Sequence, residues 1–275
     1  MRYAICNETF QDRDLAAGFA FAAACGYTGI EIAPFTLAPY ARDISPTKRA
    51  EVVAAAKNAG LEVVGLHWLL AQTEGFYLTS PDVDVRKKTG AYLGELAALC
   101  RDLGGSLMVL GSPKHRNLLP GVTLEQAHEF AADTIARAES ALAKHDVTIA
   151  VEPLGRPEGD FLTTSAEGVE LIERINSPHV RLHLDCKAMS DEPTPIPDLI
   201  RTFAGQLHHF HANDPNRQGP GFGEVKFPPI MQALRDVGYD GWVSVEVFDY
   251  APGVERLARE SIEYLKRCEA PRVGG

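Results

Sequence analysis

Short apolar runs alternate with longer amphipathic segments along the whole chain. The runs are rich in β-branched residues, as buried parallel strands are, and they read RYAIC, GIEIA, EVVGLHW, SLMVLG, TIAVE, RLHLD, HHFH and WVSVE. Two of the segments between them show helical spacing clearly, at Leu124, His128, Ala131, Ile135, Ala138 and Leu142 and at Val254, Leu257, Ala258, Ser261 and Leu265. Eight strands alternating with eight helices predict an α/β fold, a single (β/α)8 barrel.

The punctuation of the helices supports this prediction. Gly26 and Gly60 are expected to end helices, while Thr123, and either Thr164 or Ser165, are expected to cap helix starts. An open, doubly wound sheet is the competing architecture. It usually carries a Gly-rich loop after its first strand, whereas here the first strand runs into NETFQDRD. The barrel is therefore the better interpretation.

A metal-ligand type of residue closes each of four later strands. These residues are Glu152, Asp185, His211 and Glu246. Because all strands of a parallel barrel open on one face, the four side chains can converge there although they lie far apart in sequence. Buried carboxylates need a counter-charge, and a cation supplies it. Three carboxylates and one imidazole predict one divalent ion, with Mn²⁺, Co²⁺ or Mg²⁺ favoured over a structural zinc.

Composition narrows the classes of protein. The 275 residues, 45% of them hydrophobic, fit one domain spanning residues 1–275. The cysteines are five, scattered and never in a CxxC pair, which favours a reducing cytoplasmic location. A net charge of −10 argues against nucleic acid as a partner, and no apolar stretch is long enough to predict a membrane span. A small neutral substrate is the expected partner.

Three strings carry a resemblance to a known family: VEPLGRPEGDFL, HLDCKAMSDE and HANDPNRQGPGFG. They closely resemble the xylose-isomerase-like TIM barrels that include D-tagatose and D-psicose 3-epimerases, hydroxypyruvate isomerase and inosose dehydratase. The resemblance implies that Glu152, Asp185, His211 and Glu246 hold a metal ion, Mn²⁺ before Co²⁺ or Mg²⁺. It also implies that the two glutamates act as an acid/base pair beside a metal-bound carbonyl, and that Glu158 and Arg217 contact a sugar substrate.

One position departs from the epimerase pattern. The substrate-contacting histidine of those enzymes, three residues after the strand-six aspartate, is replaced by Ala188, and Lys187 stands beside it. Lys187 is a candidate contact to an oxyanion, a carboxylate or an oxidised sugar carbonyl, or else a solvated lysine. The departure keeps open a lyase or dehydratase acting on an oxidised sugar or cyclitol. An abasic-site DNA endonuclease and a non-catalytic sugar binder are less favoured, and relatives of this kind are often dimers or tetramers.

Several further side chains are predicted near the strand ends. Candidate pocket residues are His67, Trp68, His115 and Arg116. His183 and His209 lie two residues before predicted metal ligands, so they are expected to point inward one layer deeper. Glu31 ends the second strand and is expected either behind the metal ligands or in the pocket. Asp214 is expected to shape the loop after the seventh strand.

Overall fold

The computed structural model describes residues 1–269, which form a closed barrel of eight parallel strands in sequential order. The strands are β1 (Arg2–Cys6), β2 (Gly29–Ile32), β3 (Glu62–Leu66), β4 (Leu107–Leu110), β5 (Thr148–Val151), β6 (Val180–Asp185), β7 (Leu207–Ala212) and β8 (Trp242–Val245). The pairing of β1 with β8, from Arg2 opposite Trp242 to Ile5 opposite Val245, closes the ring. The predicted (β/α)8 barrel is confirmed.

The helices surround the barrel. They are α1 (Leu15–Cys25), α2 (Pro46–Ala59), α3 (Val83–Asp102), α4 (Leu124–Ala136), α5 (Glu139–His145), α6 (Ser165–Ile175), α7 (Cys186–Met189), α8 (Ile196–Thr202), α9 (Phe227–Asp236) and α10 (Val254–Glu269). The apolar run from Leu124 to Leu142, expected as one helix, is divided between α4 and α5. Its helical spacing survives the division, because Ala138 still accepts from Leu142 N and both side chains are buried.

Helix ends follow the local chemistry expected of them. Gly26 and Gly60 end α1 and α2 in the left-handed conformation, at φ 98° and 73°. Thr123 starts α4 with a full capping box to Gln126, and Thr164, rather than Ser165, caps α6. No helix within residues 1–269 is long and apolar enough to cross a membrane.

Two kinds of residue fill the barrel interior. The amino-terminal half contains an apolar cluster, the apolar layer, made of Ala4, Val64, Leu107, Val109, Ala150 and Trp242. A second set of buried residues, from β1, β2, β6, β7 and the end of β3, is ionisable, and this titratable layer comprises Cys6, Glu31, His67, His183 and His209. The interior therefore changes from apolar to ionisable toward the carboxyl ends of the strands, where barrels carry their sites.

Two pairing irregularities lie beside titratable residues. The register shifts between Ile30 and Glu31 against β3, and between Leu182 and His183 against β7. Because side chains alternate along a strand, a one-residue shift changes which side chains face the interior. A tight approach of β3 to β4 also requires Gly65, since a Cβ there would lie 1.9 Å from the carbonyl oxygen of Leu107.

Candidate active site

The four predicted ligands, hereafter the strand-end cluster, all lie buried at the carboxyl end of the barrel. Glu152 and Glu246 directly follow β5 and β8, Asp185 ends β6, and His211 lies in β7. One side-chain atom from each of Glu152, Asp185 and His211 falls within a mutual 4.8 Å, together with an atom of His183. Glu246 reaches the same group through its Oε2, which is 3.1 Å from His211 Nδ1.

Neighbouring groups orient these side chains. Asp185 Oδ1 accepts from the backbone N–H of Ala188 at 2.8 Å, and its Oδ2 accepts from Asn213 Nδ2 at 2.6 Å. The far nitrogen of the His211 ring, Nε2, lies 3.2 Å from Glu31 Oε2, which leaves Nδ1 facing Glu246. A carboxylate behind the imidazole is the usual support of a metal-ligating histidine.

The electrostatics of the cluster call for a cation. Burial raises the pKa of Glu152 well above its usual range, and the charges of Glu246 and Asp185 raise it further. Burial also raises the pKa of Asp185. For Glu246, burial acts in the same direction but the His211 and His67 imidazoles outweigh it, so its pKa is lowered. Carboxylates that oppose one another's ionisation in a buried cluster of imidazoles and oxygens suit a divalent metal site.

Burial lowers the pKa of both His183 and His209 in the titratable layer. His209 Nε2 lies 2.7 Å from Glu31 Oε1. Burial alone would raise the pKa of Glu31, but the His209 and His211 imidazoles outweigh it, so the pKa lies well below its usual value. Burial, and then the neighbouring His211 and His209, lower the pKa of His183 well below its ordinary value, so this ring is neutral. Glu31 therefore lies behind the ligands. His183 lies closer to them than expected, with Nε2 3.8 Å from Glu152 Oε1.

Two adjoining cavities open at the mouth. The inner cavity, of about 100 Å³, is lined by both glutamates of the cluster and by His67, Trp68, Glu158, Lys187, Arg217 and Phe248, among others. The outer cavity, of about 460 Å³, shares Glu158, Lys187 and Arg217 with it and is also lined by Ala188. Ala188, the position at which the resemblance implied a histidine, thus borders open space.

Lys187 is held by a neighbour. Its Nζ lies 2.6 Å from Glu158 Oε2 and 5.2 Å from the centre of the Phe248 ring. Burial opposes the charge, but the Asp185 and Glu158 carboxylates outweigh it and raise the pKa of Lys187. Lys187 is therefore a charged member of an ion pair within the cavity wall and not a lysine turned out to solvent.

Two loop residues predicted for the pocket lie elsewhere. His115 lies outside the residues that line these two cavities, and its Nε2 is 3.3 Å from the Thr73 carbonyl. Arg116 is fully buried. Its guanidinium donates to the carbonyl oxygens of Glu152 and Leu162 and so fixes the start of the loop after β5. A side chain in a loop can point into the pocket or away from it, and the alternation of side chains along a strand does not predict which.

Three residues of the site were not predicted. Asn213 holds Asp185, and its Oδ1 accepts from the Lys187 backbone N–H at 2.8 Å. Phe248 lines the inner cavity beside Trp68. Glu8 is buried against His67, with Glu8 Oε2 2.9 Å from His67 Nε2. Glu8 lies two residues beyond the end of β1, in a short 3₁₀ turn past the position that the strand-end rule selects.

The fold and the strand-end cluster define a (β/α)8 barrel with a candidate metal centre at its carboxyl mouth. Residues 19–268 match the family described as xylose isomerase-like TIM barrel, and the chain belongs to that family. A probable ketose 3-epimerase of Synechocystis sp. is 28% identical over 268 residues, covering 88% of this chain and 86% of that protein. An L-ribulose 3-epimerase of Mesorhizobium japonicum is 32% identical over 185 residues, covering 67% of this chain and 62% of that protein.

A solved structure supports the fold. The D-psicose 3-epimerase with D-tagatose from Clostridium cellulolyticum H10 superposes with a TM-score of 0.85 at 22% identity, covering 98% of this chain and 100% of that chain. At this identity the likeness concerns the barrel and not the substrate.

Proposed function

We propose that the protein is a divalent-metal-dependent isomerase or epimerase of a ketose or related oxo-sugar. The observation that carries the proposal is that Glu152 and Glu246, from the ends of two different strands, both line the inner cavity beside the metal-ligand group. Similarity to ketose 3-epimerases supports the same reaction class.

The strand-end cluster would hold the metal ion. Its three carboxylates and one imidazole favour Mn²⁺, with Co²⁺ or Mg²⁺ as alternatives. When bound, the ion would act as a Lewis acid that acidifies the carbon next to a sugar carbonyl. Removing the imidazole with His211→Asn is expected to lower metal affinity and activity together.

The two glutamates would move the proton. One takes it from one face of the substrate carbon and the other returns a proton to the opposite face, and the two exchange roles when the reaction runs backward. The opposite directions of their pKa shifts support this division. Burial raises the pKa of Glu152, whereas for Glu246 the His211 and His67 imidazoles outweigh burial and lower it, so the two carboxylates differ in proton affinity.

The cavity wall suits a polyol. Trp68 and Phe248 present aromatic surface for the apolar face of a sugar, and the Lys187–Glu158 pair together with Arg217 offers hydrogen bonds. Free ketohexoses should be poor substrates, because Ala188 cannot supply the hydrogen bond that the epimerase histidine gives. A lost contact of this kind typically costs about 1–3 kcal/mol.

A second reaction class uses the same first step. A lyase or dehydratase would remove the proton and then expel a neighbouring group from an oxidised sugar or cyclitol. Lys187 beside Ala188 favours this candidate, because a lysine can contact an extra carbonyl or a carboxylate on such a substrate.

Proton NMR in D₂O tests the proposal. The holoenzyme with Mn²⁺ is incubated with fructose, psicose, tagatose, and oxidised or acidic sugars. We expect deuterium to enter one carbon of a substrate, with a new diastereomer or aldose marking isomerisation and an unsaturated or dehydrated product marking elimination. The matched controls are a chelator-treated sample and Glu152→Gln. Absence of exchange into every sugar, with the metal bound, would contradict carbon-acid chemistry at this site.

A further inference from the structure

A second group of potential metal ligands adjoins the strand-end cluster. Cys6 ends β1, Glu8 follows it, His67 follows β3, and Glu246 follows β8. One ligand atom from each of these four buried residues lies within 4.8 Å of the others. The set combines a thiol, an imidazole and two carboxylates, which are the ligand types that zinc and cobalt take in proteins.

The polar atoms of Glu8 and His67 are close together but lack hydrogen bonds. Glu8 is 5% exposed and His67 is 1% exposed, and among residues 1–269 neither carboxylate oxygen of Glu8 nor either ring nitrogen of His67 has a hydrogen-bond partner. Glu8 Oε2 and His67 Nε2 are 2.9 Å apart, yet the two groups are not aligned for donation. Buried polar atoms left in this way are rare in proteins and call for an explanation.

One ligand atom from each of the four residues is near enough to the others to share an ion, since all four lie within 4.8 Å of one another. Metal bonds of about 2.0–2.2 Å place neighbouring ligand atoms about 3 to 3.5 Å apart, with their lone pairs directed at the ion and not at each other. The 2.9 Å from His67 Nε2 to Glu8 Oε2 is close to this separation, whereas the 3.5 Å contact to Glu246 Oε1 is made by the other ring nitrogen, Nδ1. One nitrogen of the ring would serve as the ligand.

We propose that Cys6, Glu8, His67 and Glu246 form a second divalent-cation site, suited to Zn²⁺ or Co²⁺. Glu246 joins it to the strand-end cluster. Its Oε1 accepts from Trp68 Nε1 at 3.0 Å and lies 3.5 Å from His67, while its Oε2 lies 3.1 Å from His211. A carboxylate that bridges two ions is a common element of two-metal sites. The thiol makes the second site softer than the oxygen-rich first one, so the two sites would select different ions from a mixture.

A proton on His67 is the competing occupant of this position. Burial disfavours a charged ring, but the Glu8 and Glu246 carboxylates outweigh it and raise the pKa of His67 to about 10. An imidazolium between two carboxylates would balance their charge without a metal ion. The two explanations differ in metal stoichiometry and in whether Cys6 binds the metal as a thiolate.

Cobalt titration of the full chain, stripped with chelator, tests the proposal. We expect two equivalents of Co²⁺ per chain, with sulfur-to-cobalt charge-transfer absorption developing with one of them. Cys6→Ser should abolish that absorption and keep the other equivalent. Cys25→Ser is the matched control, because Cys25 is half-buried at the end of α1 outside this group, and it should keep both the absorption and the stoichiometry.

Glu8→Gln gives a second reading, because it keeps the shape of the side chain and removes its charge. We expect the affinity of the second equivalent to fall about 10- to 100-fold, with the first equivalent and the melting temperature serving as checks of folding. One equivalent in the wild type without thiolate absorption, and an imidazolium signal from His67 in ¹⁵N NMR, would overturn the proposal. Neither outcome bears on whether sugars exchange deuterium, so the proposed function is tested separately.

Discussion

The amino-terminal and carboxyl-terminal halves of the barrel interior are built from opposite kinds of side chain. The apolar layer packs small aliphatic residues around Trp242, and Arg2 lies over that ring at 4.4 Å. In the titratable layer and the strand-end cluster, carboxylates and imidazoles are as buried as the apolar side chains of the first half. Burying apolar surface stabilises the fold at roughly 25 cal/mol per Å², whereas a buried charge is costly unless it is compensated. The amino-terminal half therefore stabilises the fold, and that stability offsets the cost of burying the charged groups of the carboxyl-terminal half.

Truncating the apolar layer should produce the largest effect, and on stability alone. Trp242→Ala removes the largest side chain of that layer and leaves a cavity. We expect the free energy of unfolding to fall by about 3–5 kcal/mol, as measured by urea denaturation. Metal stoichiometry and the kcat of the folded fraction should stay near the wild-type values. A large loss of kcat in fully folded protein would show that the two halves are coupled.

The matching change in the carboxyl-terminal half should act on catalysis. Glu246→Gln keeps an oxygen ligand but removes a proton carrier, so kcat should fall about 10²-fold or more while some metal binding survives. The measurement is steady-state turnover alongside metal analysis of the purified protein. Activity near wild type at full metal occupancy would eliminate Glu246 as an acid or base.

A glycine behind the cluster offers a subtler perturbation. A Cβ at Gly111 would lie 2.1 Å from Glu152 Oε2, so Gly111→Ala must displace that carboxylate. Since small misplacements of catalytic groups can cost up to about 10²-fold, we expect a 10- to 100-fold loss of kcat/KM and weaker metal binding. Gly205→Ala is the matched control, because a Cβ there meets nothing within 4 Å. Equal activity of the two variants would contradict the placement of Glu152.

The Lys187–Glu158 pair separates substrate contact from local support. If Lys187 contacts the substrate, Lys187→Met should raise KM about tenfold for an acidic or oxidised sugar and leave a neutral ketose less affected. If Lys187 serves only to hold Glu158, the KM values for both substrates should rise by the same factor. The double variant with Glu158→Gln should then add little to the single change.

The smallest effect is expected at the amino-terminal end of the barrel, where charges are paired individually. Glu269 accepts from the Met1 amino group at 2.9 Å and from Tyr3 Oη at 2.6 Å. Burial opposes the charge, but these donors outweigh it and lower the pKa of Glu269. A lowered folded-state pKa adds stability above the unfolded value near 4.3, and that stability is lost as the pH falls through the folded pKa.

Glu269→Gln should therefore reduce the unfolding free energy by about 1 kcal/mol at pH 7, and the difference should shrink as the pH falls below about 4. Thermal melts across this range measure it. Glu260→Gln, which breaks an exposed pair with Arg256, should change little at any pH. A deficit of the Glu269 variant that grew toward low pH would contradict the assignment.

The sequence predicted the barrel and the strand-end cluster because both follow from the direction of strands. A polar residue that ends a buried parallel strand lies at the carboxyl-terminal mouth of the barrel. This holds for all four members of the cluster, Glu152, Asp185, His211 and Glu246. The Lys187–Glu158 pair and the inward turn of Arg116 depend on loop conformation, which periodicity does not encode. Alternation places His183 on the same face of β6 as Asp185, but it does not give the distance of 3.8 Å between His183 and Glu152 on the neighbouring strand.

Arg217 combines two tasks in separable parts of one residue. Its backbone, at φ 69°, accepts from the N–H groups of Phe248 and Asp249 through a single carbonyl oxygen and so ties the loop after β7 to the loop after β8. Its guanidinium takes no part in those two hydrogen bonds and lies 5.9 Å from the centre of the Phe248 ring, and the residue lines both cavities. Evolution could therefore exchange the side chain, with glycine or asparagine best suited to this backbone conformation, and alter what the mouth accepts without loosening its rim.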